Sequence, residues 1–513
     1  MNPAARPDQG LTAKVTIELI PLGKSLPVDR GAGLQDLLFT HGVEFPCGGR
    51  GLCKGCKVKV LEGSLAETED DIRKLTSEER SAGWRLACRA RADSNLKLHL
   101  AQWETAILTD ESKFEFTPRD GLGIAIDLGT TTIVAQLIDL QTAHVLGVRT
   151  ALNEQAQQGA DVMSRIEFGM EAGGQDQLQR LVRNQLGRIC ADLVTTSQAP
   201  EDVSRIVIVG NTVMHHLFSG ITVEPLSHFP FEPAQAGLQK FSADQLGWNL
   251  PGHPTVHFLP CLGGFVGSDI LAGIIATRLH ENDALVALLD LGTNGEIVVG
   301  NRERMLCAST AAGPAFEGAR ISCGMRAATG AISEVHAIDN ALQCHVIGNQ
   351  QARGICGSGL VDAVACGLEL DWIAPTGRLK TGDTLPLTGN VSLNQWDIRE
   401  LQLAKGAIAA GVTILLQQWK ARREDLSCVY LAGAFGNYID FESARRIGLL
   451  NFAPDQVVPA GNTALLGAKL ALFDAEQHDG SYPDLLRRIQ HVSLHEDELF
   501  QQTYVEEMVF PAS

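Results

Sequence analysis

Cys47, Cys53 and Cys56 lie in the stretch Pro46–Cys56, PCGGRGLCKGC, with the spacing C-x5-C-x2-C, and Cys88 follows downstream. Four thiolates meet the requirement of a [2Fe–2S] cluster. Gly48, Gly49, Gly51 and Gly55 let the loop wrap closely and aim backbone N–H groups at inorganic sulfide. A C-x2-C pair is also a zinc hook, although a zinc ribbon normally carries two such pairs. Unliganded thiols are the third reading.

A second chemistry is written in two turns. Asp127-Leu128-Gly129-Thr130-Thr131-Thr132 ends one apolar run and opens another, and Asp290-Leu291-Gly292-Thr293-Asn294-Gly295-Glu296 repeats the arrangement. Backbone amides and hydroxyls in such turns suit phosphate oxygens, with the carboxylate placed to hold a hydrated Mg²⁺. Two of them facing each other would clamp a nucleotide, and closure of the clamp would depend on the γ-phosphate. A purely structural repeat is the plainer alternative.

These residues need elements to place them. Residues 13–104 read as two strands, a short helix, the cysteine loop and further strands, a β-grasp order. Residues 105–121 form a polar connector. Gly123–Asp139 and Leu285–Gly300 are both a strand, an Asp-Leu-Gly-Thr turn and a second strand, so two lobes of like topology are expected at 122–284 and 285–475. Val429–Asn437, VYLAGAFGN, is a third strand with a glycine turn. Amphipathic helical stretches lie between these elements. Residues 476–513 read as a C-terminal extension of helix and strand.

With 513 residues the chain exceeds one core, and three or four domains are expected. The net charge of −18 is spread without long like-charge runs. No basic face suggests nucleic acid. The N-terminal residues lack a signal-peptide pattern, and no apolar run approaches a membrane span. Twelve cysteines without an export signal argue for a reducing, cytoplasmic setting.

Other residues are weaker candidates. His215 and His216 read as packing residues. Glu317, in AGPAFEG, and Ser358, in GICGSGLVD, read as cleft-lining contacts to nucleotide or partner. Cys190, Cys261, Cys307, Cys323, Cys344, Cys356, Cys366 and Cys428 are scattered in apolar surroundings and read as buried small hydrophobes. A second cluster from Cys307, Cys323, Cys356 and Cys366 lacks motif spacing.

The cysteine loop resembles ferredoxins of the adrenodoxin type. The glycine turns, in their order, resemble the superfamily of actin, sugar kinases and large heat-shock chaperones, in which the first two turns bind phosphates and the last borders the adenosine. The fold expected is multidomain α/β: a β-grasp [2Fe–2S] ferredoxin domain joined to a two-lobed, actin-like (ribonuclease-H-like) ATPase domain.

Such a fusion suits uphill electron transfer, since low-potential clusters sit near roughly −400 mV. The whole chain resembles the reductive activators of corrinoid-dependent methyltransferase systems. That resemblance implies a corrinoid protein or methyltransferase as partner, a low-potential electron donor, and room for a homodimer; the chemistry is return of Co(II) to Co(I) at the cost of ATP. It assigns the cluster to Cys47, Cys53, Cys56 and Cys88 and catalysis to Asp127 and Asp290. Gly129, Thr130, Thr131, Thr132, Gly292, Thr293, Asn294 and Glu296 would face phosphate and Mg²⁺. Gly433 and Gly436 would border the adenosine, with Glu317 and Ser358 nearby. A middle domain of longer members is expected to be missing, with only 105–121 in its place. A redox-sensing kinase, a reductase of a non-corrinoid acceptor and an electron-transfer scaffold with a degenerate ATP site are the rival readings.

Overall fold

The computed structural model describes residues 14–20, 24–39, 56–100, 116–159, 161–197, 202–292, 294–318, 320–325, 327, 330–347, 350–380, 382–436, 439–473 and 481–511. Cys47, Cys53, the loop glycines Gly48, Gly49, Gly51 and Gly55, Thr293, and residues 105–115 of the connector lie outside the described residues. The chain divides into two compact units, an N-terminal one reaching Trp103 and a second from Glu104 onward.

The N-terminal unit is built on a five-stranded mixed sheet. Its order is Lys24–Asp29, Lys14–Ile20, Leu96–Leu100, Lys57–Glu62 and Trp84–Leu86. The strand Lys14–Ile20 alternates exposed and buried residues, as does Leu96–Leu100, so each shows one face to solvent and one to a core. These two strands pair in parallel, Ile17 opposite Leu96. Ile17, Leu19, Leu34, Leu38, Val58, Leu86, Leu98 and Leu100 fill that core. Two short helices, Glu69–Lys74 and Ser77–Ser81, each start with a threonine capping box, at Thr68 and Thr76.

The second unit holds two six-stranded sheets that share the order of five strands and carry the sixth at opposite ends. The first lobe runs Val145–Leu152, Thr132–Asp139, Leu122–Leu128, Val203–Val209, Thr255–Phe258 and Gln239–Ser242. The second runs Val457–Gly461, Cys428–Ala432, Val286–Leu291, Gly295–Gly300, Met305–Thr310 and Ile489–His491. In each lobe the first strand pairs antiparallel with the second across the Asp-Leu-Gly turn. Its other edge pairs in parallel with a strand reached by a crossover. The first strands are buried on both faces, and their near-continuous apolar runs are the signature of that position. The crossovers carry long helices, Gly174–Ser197 in the first lobe and Gln395–Trp419 in the second.

The lobes join through the helices Ser268–Ala276 and Thr463–Phe473, which follow the parallel-paired strands Thr255–Phe258 and Val457–Gly461. Small residues bring the two backbones together. A Cβ on Gly467 would stand 2.1 Å from the Ala272 carbonyl oxygen, and one on Gly273 would stand 3.1 Å from Thr463 Oγ1. Around this contact lies a shared core of Val207, Val209, Ile270 and Leu271 with Leu288, Ala464, Leu465 and Ala468. Among the described residues no helix is long and apolar enough to cross a membrane.

Candidate functional site

Strand polarity explains why four carboxylates meet. Parallel strands end at the same edge of a sheet, where ligands of such folds bind. Asp127 ends the first strand of one lobe and Asp290 the first strand of the other. Asp269 stands in the first turn of the helix that follows strand Thr255–Phe258. Glu296 opens the strand after the second turn and pairs across it with Asp290.

They lie near enough for their charges to act on one another. Burial first, then the Asp127 charge, raises Asp290 to about 7. Burial, then the charges of Asp290 and Asp127, raises Asp269 to about 8. Glu296 is pushed up by burial and by Asp269 and Asp290. Asp127 rises to about 6 through burial, partly opposed by a hydrogen bond from Asn462. Like charges held out of water disfavour their own ionisation, and a nearby cation reverses this. Among the described residues no three His, Cys, Asp or Glu side chains close around a bare ion. The arrangement fits a cation that keeps its own waters, as Mg²⁺ does.

The first turn is braced from behind. Asn153 Nδ2 donates to the Gly129 carbonyl at 3.0 Å, and the Asn153 amide donates to the Thr131 carbonyl at 2.9 Å. Arg165, fully buried, donates to the Thr130 carbonyl, to Gly159 O at 2.9 Å and to Gln155 Oε1 at 3.2 Å. Asn211 caps the helix Thr212–Ser219 through Oδ1 and donates from Nδ2 to Thr130 Oγ1 at 2.8 Å. Three carbonyls of the turn are thereby tied to scaffold. Thr132, next in the chain, is exposed at the start of its strand.

Among the described residues, a Cβ on Gly292 would come within 4 Å of the Asn294 carbonyl oxygen alone, at 3.7 Å. Gly433 has φ +85, and a Cβ there would stand 2.5 Å from Asp290 Oδ1. Only glycine allows the third turn to lie against that carboxylate. Gly436 ends the short helix Gly433–Gly436, and Phe435 within it stacks on Phe316 at 4.4 Å. Glu317 follows Phe316 on the same 3-10 turn. Ser358 is buried at the start of helix Gly357–Glu369 and donates to the Ser333 carbonyl at 2.9 Å.

In the N-terminal unit, Cys56 and Cys88 are brought together by the pairing of Lys57–Glu62 with Trp84–Leu86. The amide of Ala87 donates to the Cys56 carbonyl at 3.1 Å. The turn bearing Cys88 is pinned on both sides. Arg89 Nε donates to Asp70 Oδ2 at 2.7 Å, and Asp71 Oδ1 accepts from the Leu86 amide at 2.7 Å. Hydrogen bonds from Arg73 and Arg89 outweigh the burial of Asp70 and hold its carboxyl below the usual range.

His215 and His216 are packing residues. Both are buried, His215 edge-on to Phe258, and burial lowers His215 to about 3. Cys190, Cys261, Cys307, Cys356 and Cys366 are buried free thiols, and Cys323, Cys344 and Cys428 are half-buried ones. Asp269, Asn462, Asn211, Arg165 and Asn153 escaped sequence reasoning. For Asp269 a signal existed, since GGFVGSDI is a glycine-rich turn leading from strand into helix.

A ferredoxin-like unit followed by paired Asp-Leu-Gly turns in a two-lobed sheet fold defines an iron–sulfur protein with an ASKHA ATPase domain. Three family descriptions match in register: "2Fe-2S iron-sulfur cluster binding domain" over residues 17–93, "RACo middle region" over 122–282, and "C-terminal domain of RACo the ASKHA domain" over 284–513. The chain is 35% identical over 425 residues to the corrinoid activation enzyme RamQ of Eubacterium limosum, covering 76% of this chain and 70% of that one. It is 26% identical over 422 residues to the [Co(II) methylated amine-specific corrinoid protein] reductase of Methanosarcina barkeri, covering 76% and 77%. A solved reductive activator for corrinoid, iron-sulfur protein superposes with a TM-score of 0.67 at 25% identity, over 97% of this chain and 98% of that one. The chain belongs to the RACo-type reductive activators of corrinoid proteins.

The description named for a middle region matches residues 122–282, the stretch that forms the first six-stranded lobe and carries Asp127.

Proposed function

We propose that this protein uses ATP to drive one electron from a [2Fe–2S] cluster to the Co(II) corrinoid of a partner protein, restoring Co(I). The convergence of Asp127, Asp269 and Asp290 from both lobes carries this reading, because it couples lobe closure to a phosphate-bound cation. Cys47, Cys53, Cys56 and Cys88 would hold the cluster, a one-electron carrier refilled by a low-potential donor. Asp127, Asp290 and Asp269 would hold the waters of Mg²⁺, which supplies charge neutralisation at the phosphates. Gly129, Thr130, Thr131 and Thr132 face the same phosphates from one lobe, and Gly292, Thr293, Asn294 and Glu296 from the other. Gly433 and Gly436 border the adenosine, with Glu317 beside them. The setting is the cytoplasm, where the cluster thiolates stay reduced.

The test is anaerobic. Reduced protein is mixed with a panel of Co(II) corrinoid proteins, and the cobalt visible spectrum is followed with and without Mg·ATP. Co(I) appearing only with Mg·ATP is the expected result. Equal Co(I) without nucleotide would remove ATP from the reaction. No Co(I) from any partner, with cluster and ATPase intact, would point to another acceptor.

A further inference from the structure

Asn462 belongs to the second lobe and Asp127 to the first, yet Asn462 Nδ2 donates to Asp127 Oδ2 at 2.9 Å. The same side chain starts a helix. Its Oδ1 accepts from the Leu465 amide at 2.8 Å, at the head of Thr463–Phe473. Chemistry fixes which end does which: a backbone N–H demands the amide oxygen, so the nitrogen is left for the carboxylate. The helix so capped lies backbone to backbone against Ser268–Ala276, whose first turn carries Asp269. One amide therefore touches the helix that joins the lobes and the carboxylate that ends the first lobe's leading strand.

We propose that Asn462 is a positioning residue: it ties the joining helix of the second lobe to Asp127, so that bringing the lobes together and setting the carboxylate are one event. This deepens the ATPase reading and, for its kinetic arm, rests on it. A carboxylate held by a neutral donor from the opposite lobe keeps one orientation without losing its charge. Asn462 stands where the second lobe's strand Val457–Gly461 passes into a helix that packs on the first lobe's strands Leu122–Leu128 and Val203–Val209, so a movement of the second lobe pulls directly on the donor. Phosphate chemistry is thereby confined to the joined state. The first lobe uses a similar device at another point, since Asn211, after strand Val203–Val209, caps its own helix and donates to Thr130 Oγ1. That bond stays within one lobe, whereas Asn462 reaches across.

The experiment separates capping from positioning. Serine caps a helix as well as asparagine does, but its side chain is too short to also reach Asp127. In the full chain, Asn462→Ser should keep wild-type hydrogen-exchange protection in the first turn of Thr463–Phe473. It should lower kcat for ATP hydrolysis on the order of ten-fold with little change in KM, as expected for one lost hydrogen bond to a charged group that matters in the transition state. Wild-type kcat in Asn462→Ser would overturn the proposal and leave a helix cap only.

A second pair needs no nucleotide. Asn462→Asp still caps but sets two carboxylates face to face, so exchange should rise in both joining helices. Adding Asp127→Asn restores a donor–acceptor pair with the roles reversed, and protection should return. Unchanged exchange in Asn462→Asp would overturn the proposal. A wild-type chain that hydrolyses no ATP, together with exchange that rises and is rescued, would sink the ATPase reading while leaving the tie between the lobes standing.

Discussion

Arg165 holds the carbonyl of Thr130 from beneath, with its guanidinium wholly buried and shared among three acceptors. Burial of the cation first of all lowers its pKa, to about 10, so it remains charged at neutral pH. A planar fork is what three divergent acceptors need, and lysine offers only a point charge. Arg165→Lys is therefore expected to weaken ATP binding at least ten-fold. Arg165→Ala should in addition destabilise the second unit by about 3 kcal/mol, because buried acceptors lose a charged donor. Isothermal titration with a nonhydrolysable ATP analogue and thermal unfolding read the two effects. Wild-type affinity in Arg165→Lys would mean that the turn does not meet phosphate.

Asp269 gives the pH dependence a sign. Its carboxyl rises from 3.8 unfolded to about 8 folded, through burial and then the charges of Asp290 and Asp127. A group whose folded pKa is raised favours folding fully below its unfolded pKa, and that contribution is lost as pH rises through the folded value. Asp269→Asn should thus raise the melting temperature of the nucleotide-free protein at pH 8 and raise it less at pH 5. Mg·ATP should stabilise wild type more than the variant. A gain that is equal at both pH values would place Asp269 away from the other carboxylates.

Two glycines should respond in opposite ways. At Gly433 a methyl group would strike Asp290 Oδ1 from a positive φ, so Gly433→Ala is expected to cost about 2 kcal/mol or more and to abolish ATP hydrolysis. At Gly292 the space is open, and Gly292→Ala should leave the melting temperature nearly unchanged. If that stable variant still binds ATP as wild type does, no phosphate approaches the second turn.

The ferredoxin-like unit offers a spectroscopic test. Asp70 and Arg89 pin the turn that bears Cys88. Asp70→Asn should speed loss of the visible iron–sulfur absorbance in air several-fold, and Cys88→Ser or Cys56→Ser should prevent cluster assembly. ATP hydrolysis without partner should persist in all three. A cluster that survives both serine variants would require other ligands.

The chemistry-bearing turns were legible because local backbone rules write them: an apolar strand, a carboxylate and glycine recur within a few residues, and a metal loop needs cysteines close in sequence. What completes the site was not. Asp269 and Asn462 reach Asp127 only through parallel pairings of strands far apart in the chain, and Asn462 sits in GNTALLGA, which reads as an ordinary small-residue helix start. Arg165 lies in an amphipathic helix where a charged residue reads as solvent-facing, while the structure turns it inward.

The close approach of Gly467 to the Ala272 backbone has a mechanical consequence. Backbones in direct touch can neither slide past one another without a clash nor part without opening a void. What remains is turning, with this contact as the axle. Asp269 and Asn462 sit at the heads of the two helices, and Asn462 holds Asp127, so these groups lie close to the axle, where arc lengths are short. The outer sheets and the C-terminal segment lie on the long arms. A sub-ångström adjustment at the phosphates would then become a far larger sweep at the rim, the leverage an activator needs if it is to admit and release a partner many times its cofactor's size.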